Sequence, residues 1–107
     1  MNIEKLAETL KVLGDPTRLQ IVAMLNIRDL CVCELVPMFS ISQPAISRHL
    51  SRLRSVELVK ETRKGMWVYY SLNRQKLEEV GFSLSHLPDM TERLNELRVK
   101  GALPECK

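Results

Sequence analysis

Between Ser42 and Arg54 the apolar residues Ile46, Leu50 and Leu53 fall within one narrow arc of a helix, and the opposite side carries cations and short polar groups without an acid. A short apolar segment and a turn precede this stretch. Two runs rich in aromatic and branched residues, joined at Lys64-Gly65, follow it. Together these observations predict a mainly α chain with a small β-hairpin, arranged as a helix-turn-helix with a wing. The 107 residues suit a single domain with one small core, and a second domain is not expected.

Composition narrows the class. Apolar residues make up 45% and charged residues 27%, values of a soluble globular chain. No run approaches the roughly 20 apolar residues that cross a bilayer, so no membrane partner is expected. The start, MNIEKLAETL, lacks the uninterrupted apolar core of a secretory signal, which makes the cytoplasm the expected compartment. The three cysteines are therefore read as reduced thiols. Residues 40 to 76 hold eight Lys or Arg against two Glu, although the whole chain has a net charge of only +3. Positive charge is thus concentrated where a phosphate backbone would be met.

Ile3, Leu6, Leu10 and Leu13 form one stripe on a first helix, over about residues 3–13, which Gly14 ends. Asp15-Pro16-Thr17 starts a second, with Asp15 as cap and Pro16 in the first turn, where no donor is needed. Leu19, Val22 and Ala23 are expected to face inward there, with Ile21 and Leu25 broadening the apolar surface. Leu30-Cys31-Val32 suits a strand residue or two, before a helix from about Cys33 to Phe39 weakened late by Pro37. Ser40-Ile41-Ser42 makes the turn, and Ser42 caps the next helix, giving a helix-turn-helix over about 33–54.

The wing spans about 58–72, with strands over 57–63 and 66–72. In the tail, Leu77, Val80, Leu84 and Leu87, then Met90, Leu94 and Leu97, run at helical spacing on either side of a break at Pro88, with Asp89 as a new cap. Such a stripe over about 74–100, with the first helix, suits an isologous homodimer contact better than folding back onto the chain's own core.

The acid-free face fits the major groove of double-stranded DNA. Ser42, Gln43, Pro44, Ser47, Arg48, Ser51 and Arg54 are its candidate contacts, and Arg63 and Lys64 at the wing tip are candidates for phosphate. His49 borders the apolar arc; it either joins them or packs against a neighbouring group. His86 in the tail is read as a surface or interface residue. Trp67, Tyr69 and Tyr70 divide between the faces of a strand, where core and wing packing accounts for them.

Cys31 and Cys33 carry the other chemistry. Thiolate sulfur selects soft acceptors, among them trivalent arsenic and antimony, Cd(II), Pb(II) and Zn(II), and a helix N-terminus favours the thiolate. Residues two apart on a helix are rotated by about 200°, so the pair cannot grip one ion if the segment is helical throughout. Chelation would then have to unwind or redirect the helix entrance. Arsenite takes three sulfurs where this pair supplies two, and Cys106 is either a third ligand or an inert tail residue. Oxidant sensing by the same cysteines is an alternative. An enzyme is not expected, because there is no Cys-x-x-Cys spacing, no glycine-rich phosphate loop and no His beside the cysteines.

From about residue 4 to 73 the sequence resembles the ArsR/SmtB family of winged-helix metal-responsive repressors. The resemblance is carried by Leu13-Gly14-Asp15-Pro16-Thr17-Arg18-Leu19, by Ser42-Gln43-Pro44-Ala45-Ile46-Ser47-Arg48-His49-Leu50, and by Trp67 to Leu72. Most specific is Leu30-Cys31-Val32-Cys33-Glu34-Leu35, similar to the thiol motif of the arsenic- and antimony-responsive branch. The resemblance implies a homodimeric repressor of its own operon, with no permanent cofactor, that leaves operator DNA when As(III) or Sb(III) binds as inducer. Val36 stands where some members have a third cysteine. Cadmium- and lead-responsive relatives use a cysteine-bearing extension ahead of the first helix, which is not expected here. The tail site of other members uses paired His and carboxylates, and His86 has no such partner here.

Overall fold

A computed structural model describes residues 1–99 of the chain. Helix α1 spans Ile3–Leu13, and Asn2 Oδ1 accepts from the Lys5 amide at 2.8 Å, a cap the sequence reading passed over. Helix α2 spans Pro16–Leu25, with Asp15 Oδ2 accepting from the Arg18 amide at 3.0 Å as expected. Its buried face differs from the expected one. Ile21, Val22 and Leu25 are buried, whereas Ala23 is exposed and Leu19 is 55% exposed. Two neighbouring arcs of this helix are comparably apolar, and periodicity does not choose between them.

Strand β1, Leu30–Cys31, leads into α3, Val32–Leu35, a single turn. A 3-10 turn over Val36–Met38 replaces the expected continuation to Phe39, and the Phe39 amide reaches back to the Val36 carbonyl at 3.3 Å. Pro37 has no amide to extend the α ladder, so the shorter turn closes the segment. Helix α4 spans Gln43–Ser55, and Ser42 Oγ accepts from the Ala45 amide at 3.3 Å. Ile46, Leu50 and Leu53 are completely buried, which fixes the rotation of α4 about its axis and turns its polar side outward.

Strands β2, Val59–Lys64, and β3, Trp67–Leu72, form the antiparallel wing. Lys64 pairs with Trp67, so the turn is Gly65-Met66, one residue later than expected, with Gly65 in the left-handed region at φ +62°. The sheet order is β1-β3-β2, with Cys31 opposite Tyr69 and Leu30 opposite Tyr70. The segment holding the cysteines is therefore hydrogen bonded to the wing.

Helix α5 spans Arg74–Ser85 and α6 spans Thr91–Val99, with Asp89 Oδ1 accepting from the Thr91 amide at 2.9 Å. Arg74 clasps α5 to the end of α2 by donating to Asn26 Oδ1 at 2.6 Å and to the Asn26 carbonyl at 2.8 Å. Leu77 packs against the core and Val80 is buried, whereas Phe82, Leu84, Leu87, Met90 and Leu94 remain exposed, so only the first part of this stripe folds back onto the chain's own core. Among the described residues, no helix is long and apolar enough to cross a membrane.

Candidate nucleic-acid interface and thiol site

The packing that buries Ile46, Leu50 and Leu53 presents Gln43, Pro44, Ser47, Arg48, Ser51 and Arg54 together, all exposed, with Ser42 at the helix start. These are short donors and acceptors on a rigid rod, plus long cations able to reach phosphate. Arg54 has a partner outside the helix: its Nη1 is hydrogen bonded to Glu61 Oε2 of β2. The Tyr70 hydroxyl donates to the same oxygen at 3.4 Å. Burial of Tyr70, and then the Glu61 charge, push its phenol pKa up. The helix itself carries no acid from 42 to 54, and this one comes from the wing strand beside it.

His49 turns away from the outer face. Its Nδ1 lies 3.2 Å from Arg18 Nη1 and 3.8 Å from Asp15 Oδ2, at the start of α2. A guanidinium only donates, so Nδ1 is the acceptor and the ring proton is assigned to Nε2. Arg18 Nε also donates to the Val12 carbonyl at 2.6 Å. The Arg18 amide holds the Asp15 pKa below its usual value, and the Arg18 charge assists. His49 thus packs against the start of α2 through Nδ1.

Arg63 and Lys64 are exposed at the wing tip, where Met66 is 94% exposed and Trp67 56%. Wing packing thus leaves over half of Trp67 uncovered. Lys64 Nζ stands 5.6 Å from the centre of the Tyr69 ring, its neighbour on one face of the hairpin.

The thiol pair corrects two expectations. Cys31 and Cys33 are joined as a disulfide rather than held as separate thiols, with their Cα atoms 5.3 Å apart. Nor do they lie on opposite sides of a helix. Cys31 ends β1 in an extended conformation, φ −91° and ψ 164°, and the helix begins only at Val32, so the 200° rotation never applies. The strand-to-helix bend brings both sulfurs to one side without unwinding. Cys31 is 4% exposed and Cys33 lies at the surface.

Glu34 completes this corner: its Oε1 accepts from the Cys31 amide at 3.1 Å and its Oε2 from Arg28 Nη2 at 2.8 Å. Arg28, and then the Cys31 amide, hold the Glu34 pKa low. Glu34 is committed to these bonds, so the donors on offer are sulfurs, and after reduction they suit a soft acceptor. Among the described residues no group of three His, Cys, Asp or Glu gathers as a metal site, and Cys106 lies outside the described residues.

Comparison with known proteins agrees with this architecture. Residues 15–61 match the family described as "Bacterial regulatory protein, arsR family". The chain is 38% identical over 84 residues to the arsenical resistance operon repressor of Staphylococcus xylosus, covering 78% of this chain and 81% of that one. It is 39% identical over 83 residues to the arsenic resistance transcriptional regulator ArsR1 of Pseudomonas putida, covering 77% of this chain and 65% of that protein. A crystal structure titled as a possible transcriptional regulator for arsenical resistance superimposes with a TM-score of 0.68 at 32% identity, covering 83% of this chain and 94% of that one. With relatives at this identity and extent, the chain belongs to the arsR family of bacterial regulatory proteins, helix-turn-helix regulators of transcription.

Proposed function

We propose that the chain is a dimeric repressor that holds operator DNA with α4 and the β2–β3 wing and releases it when Cys31 and Cys33, as thiols, bind trivalent arsenic or antimony. The observation that carries this reading is the convergence of the two sulfurs at the bend between β1 and α3. Reduction of the disulfide by two electrons and two protons yields two soft donors already side by side. A hydroxide, a small cellular thiol or Cys106 fills a third position. The names of the Staphylococcus and Pseudomonas relatives favour arsenic over other soft ions.

The corner touches both DNA-directed elements. Strand β1 pairs with β3 of the wing, and α3 packs on α4. Inducer bonds at the corner therefore act on the spacing of wing and reading helix, with no unwinding of α3. The exposed apolar row from Phe82 to Leu94, which begins on α5 where that helix packs on α1, supports a second copy of this chain as the partner that covers it. Phe82→Asp is expected to halve the mass seen in sedimentation, and an unchanged mass counts against this interface.

The deciding experiment is operator binding in reductant by wild type and by Cys31→Ser, Cys33→Ser and Cys106→Ser, titrated with arsenite, antimonite, cadmium and zinc. Wild type is expected to release DNA with arsenite and antimonite, and Cys33→Ser to stay bound. Release of Cys33→Ser as readily as wild type overturns the assignment. The disulfide itself favours a second reading, in which thiol oxidation is the signal. That reading requires DNA release on mild oxidation and no response to arsenite under reducing conditions.

A further inference from the structure

The contact between the reading helix and the wing contains a charge that DNA binding alone does not require. Arg54 stands on the outer face of α4 beside Ser47 and Ser51, yet its guanidinium is bonded to Glu61. Glu61 is fixed by strand register opposite Tyr70, whose hydroxyl donates to the same carboxylate oxygen at 3.4 Å. The Arg54 and Glu61 side chains are 51% and 27% exposed, so water screens the pair and an approaching phosphate can compete for the arginine.

We propose that Glu61 is a specificity-determining residue, which withholds Arg54 from DNA phosphate until the reading helix is fully seated. This rests on α4 being the DNA reader. A protein held loosely on non-cognate DNA depends on its net positive charge, because released counterions supply most of that affinity. Paired with Glu61, Arg54 contributes no net charge at that range. In a fully docked complex a phosphate comes within reach, and the charge-assisted contact it offers displaces the weak pair. Glu61 then keeps the Tyr70 hydroxyl as a partner, so it is not stranded beside the DNA. The acid thus lowers affinity for wrong sequences more than for the right one, which is discrimination achieved by penalising the competitor.

The test uses the full chain with two duplexes: one selected by the wild-type protein from a random-sequence pool, and a scrambled duplex of the same length and composition. Affinities are measured across a salt series for wild type, Glu61→Gln, Arg54→Ala and the double variant. For Glu61→Gln, binding to the scrambled duplex is expected to tighten about tenfold at low salt, with a salt slope steeper by about one. Binding to the selected duplex is expected to change by no more than about twofold, so selectivity falls. In the Arg54→Ala background the glutamine is expected to have no effect, because its target is gone.

Glu61→Thr, which suits a strand, repeats the test if the glutamine loosens the wing. Unchanged scrambled-duplex affinity and slope for both Glu61 variants overturns the proposal. So does a gain of the same size in the Arg54→Ala background, which reduces the effect to removal of a negative charge. If Arg54→Ala weakens both duplexes while the Glu61 variants are silent, only the gating role is lost. If Arg54→Ala changes neither duplex, the proposal fails and Arg54 also leaves the DNA-reading face.

Discussion

The reading helix and the thiol corner are neighbours in the fold but are built in different ways. Helix α4 is one regular element: three buried residues at helical spacing set its rotation, and every side chain proposed to meet DNA on its outer face follows from that rotation. The thiol corner belongs to no single element. Its two sulfurs meet because β1 stops and α3 starts between them, and the bend is held by Glu34 bonding to the Cys31 amide and to Arg28. A surface made by periodicity tolerates small local changes, whereas a site made by a junction depends on where each element ends. Each of the following experiments separates the two regions.

The largest effect belongs to the corner. A complete switch, from 1:99 to 99:1 in favour of the DNA-free form, needs about 5.5 kcal/mol of differential inducer binding. Cys31→Ser or Cys33→Ser is expected to remove nearly all of it, leaving DNA affinity in reductant near that of wild type. Titrating arsenite against protein-bound duplex reads this directly, and a variant that loses DNA affinity without inducer shows that corner and reader are not separable.

Next comes the support beneath the reader. Leu50 is completely buried, and Leu50→Ala is expected to cost about 2–5 kcal/mol in denaturant unfolding and to weaken DNA binding with it. A loss of DNA binding with unchanged stability breaks the argument that core packing sets the orientation of the outer face.

Smaller effects follow at the surface. Arg48→Ala and Arg63→Ala are each expected to weaken binding and to flatten the salt slope by about one, because each removes a phosphate-directed cation. Unchanged slopes remove those residues from the contact set. The smallest effect concerns pH. Asp15 has a lowered pKa, so its stabilising contribution is complete above its ordinary value of 3.8 and is lost as pH falls through the lower folded value. Asp15→Asn keeps a cap but cannot ionise, and is expected to make acid unfolding shallower below that value. An identical acid limb in wild type and variant shows that the Asp15 charge does not support α2.

Legibility in the sequence followed the same division. Ile46, Leu50 and Leu53 were readable because a repeat along one helix is a one-dimensional signal, and Asp15-Pro16 and Asp89 because caps are local chemistry. Leu19 and Ala23 misled because α2 is apolar on adjoining arcs and only its neighbours decide which is buried. Arg18 with His49, 31 residues apart, and Arg54 with Glu61 are pairings between elements that no spacing rule reports. Glu61 was nevertheless visible as an acid near the middle of a predicted wing strand, and aligning the hairpin against the basic helix would have flagged it. The thiol pair was recognised and a strand at Leu30-Cys31 was expected, but the 200° argument, which holds only for a segment helical throughout, left out what the bend after that strand does to the two sulfurs.

Under the proposed function, the Cys31 to Cys33 corner also bears on how such a molecule acquires new signals. Its two sulfurs belong to three consecutive positions, outside both the outer face of α4 and the exposed apolar row of the tail. On that reading, exchanging those positions for other donors changes what the protein responds to and leaves untouched the residues proposed to meet DNA and a second copy.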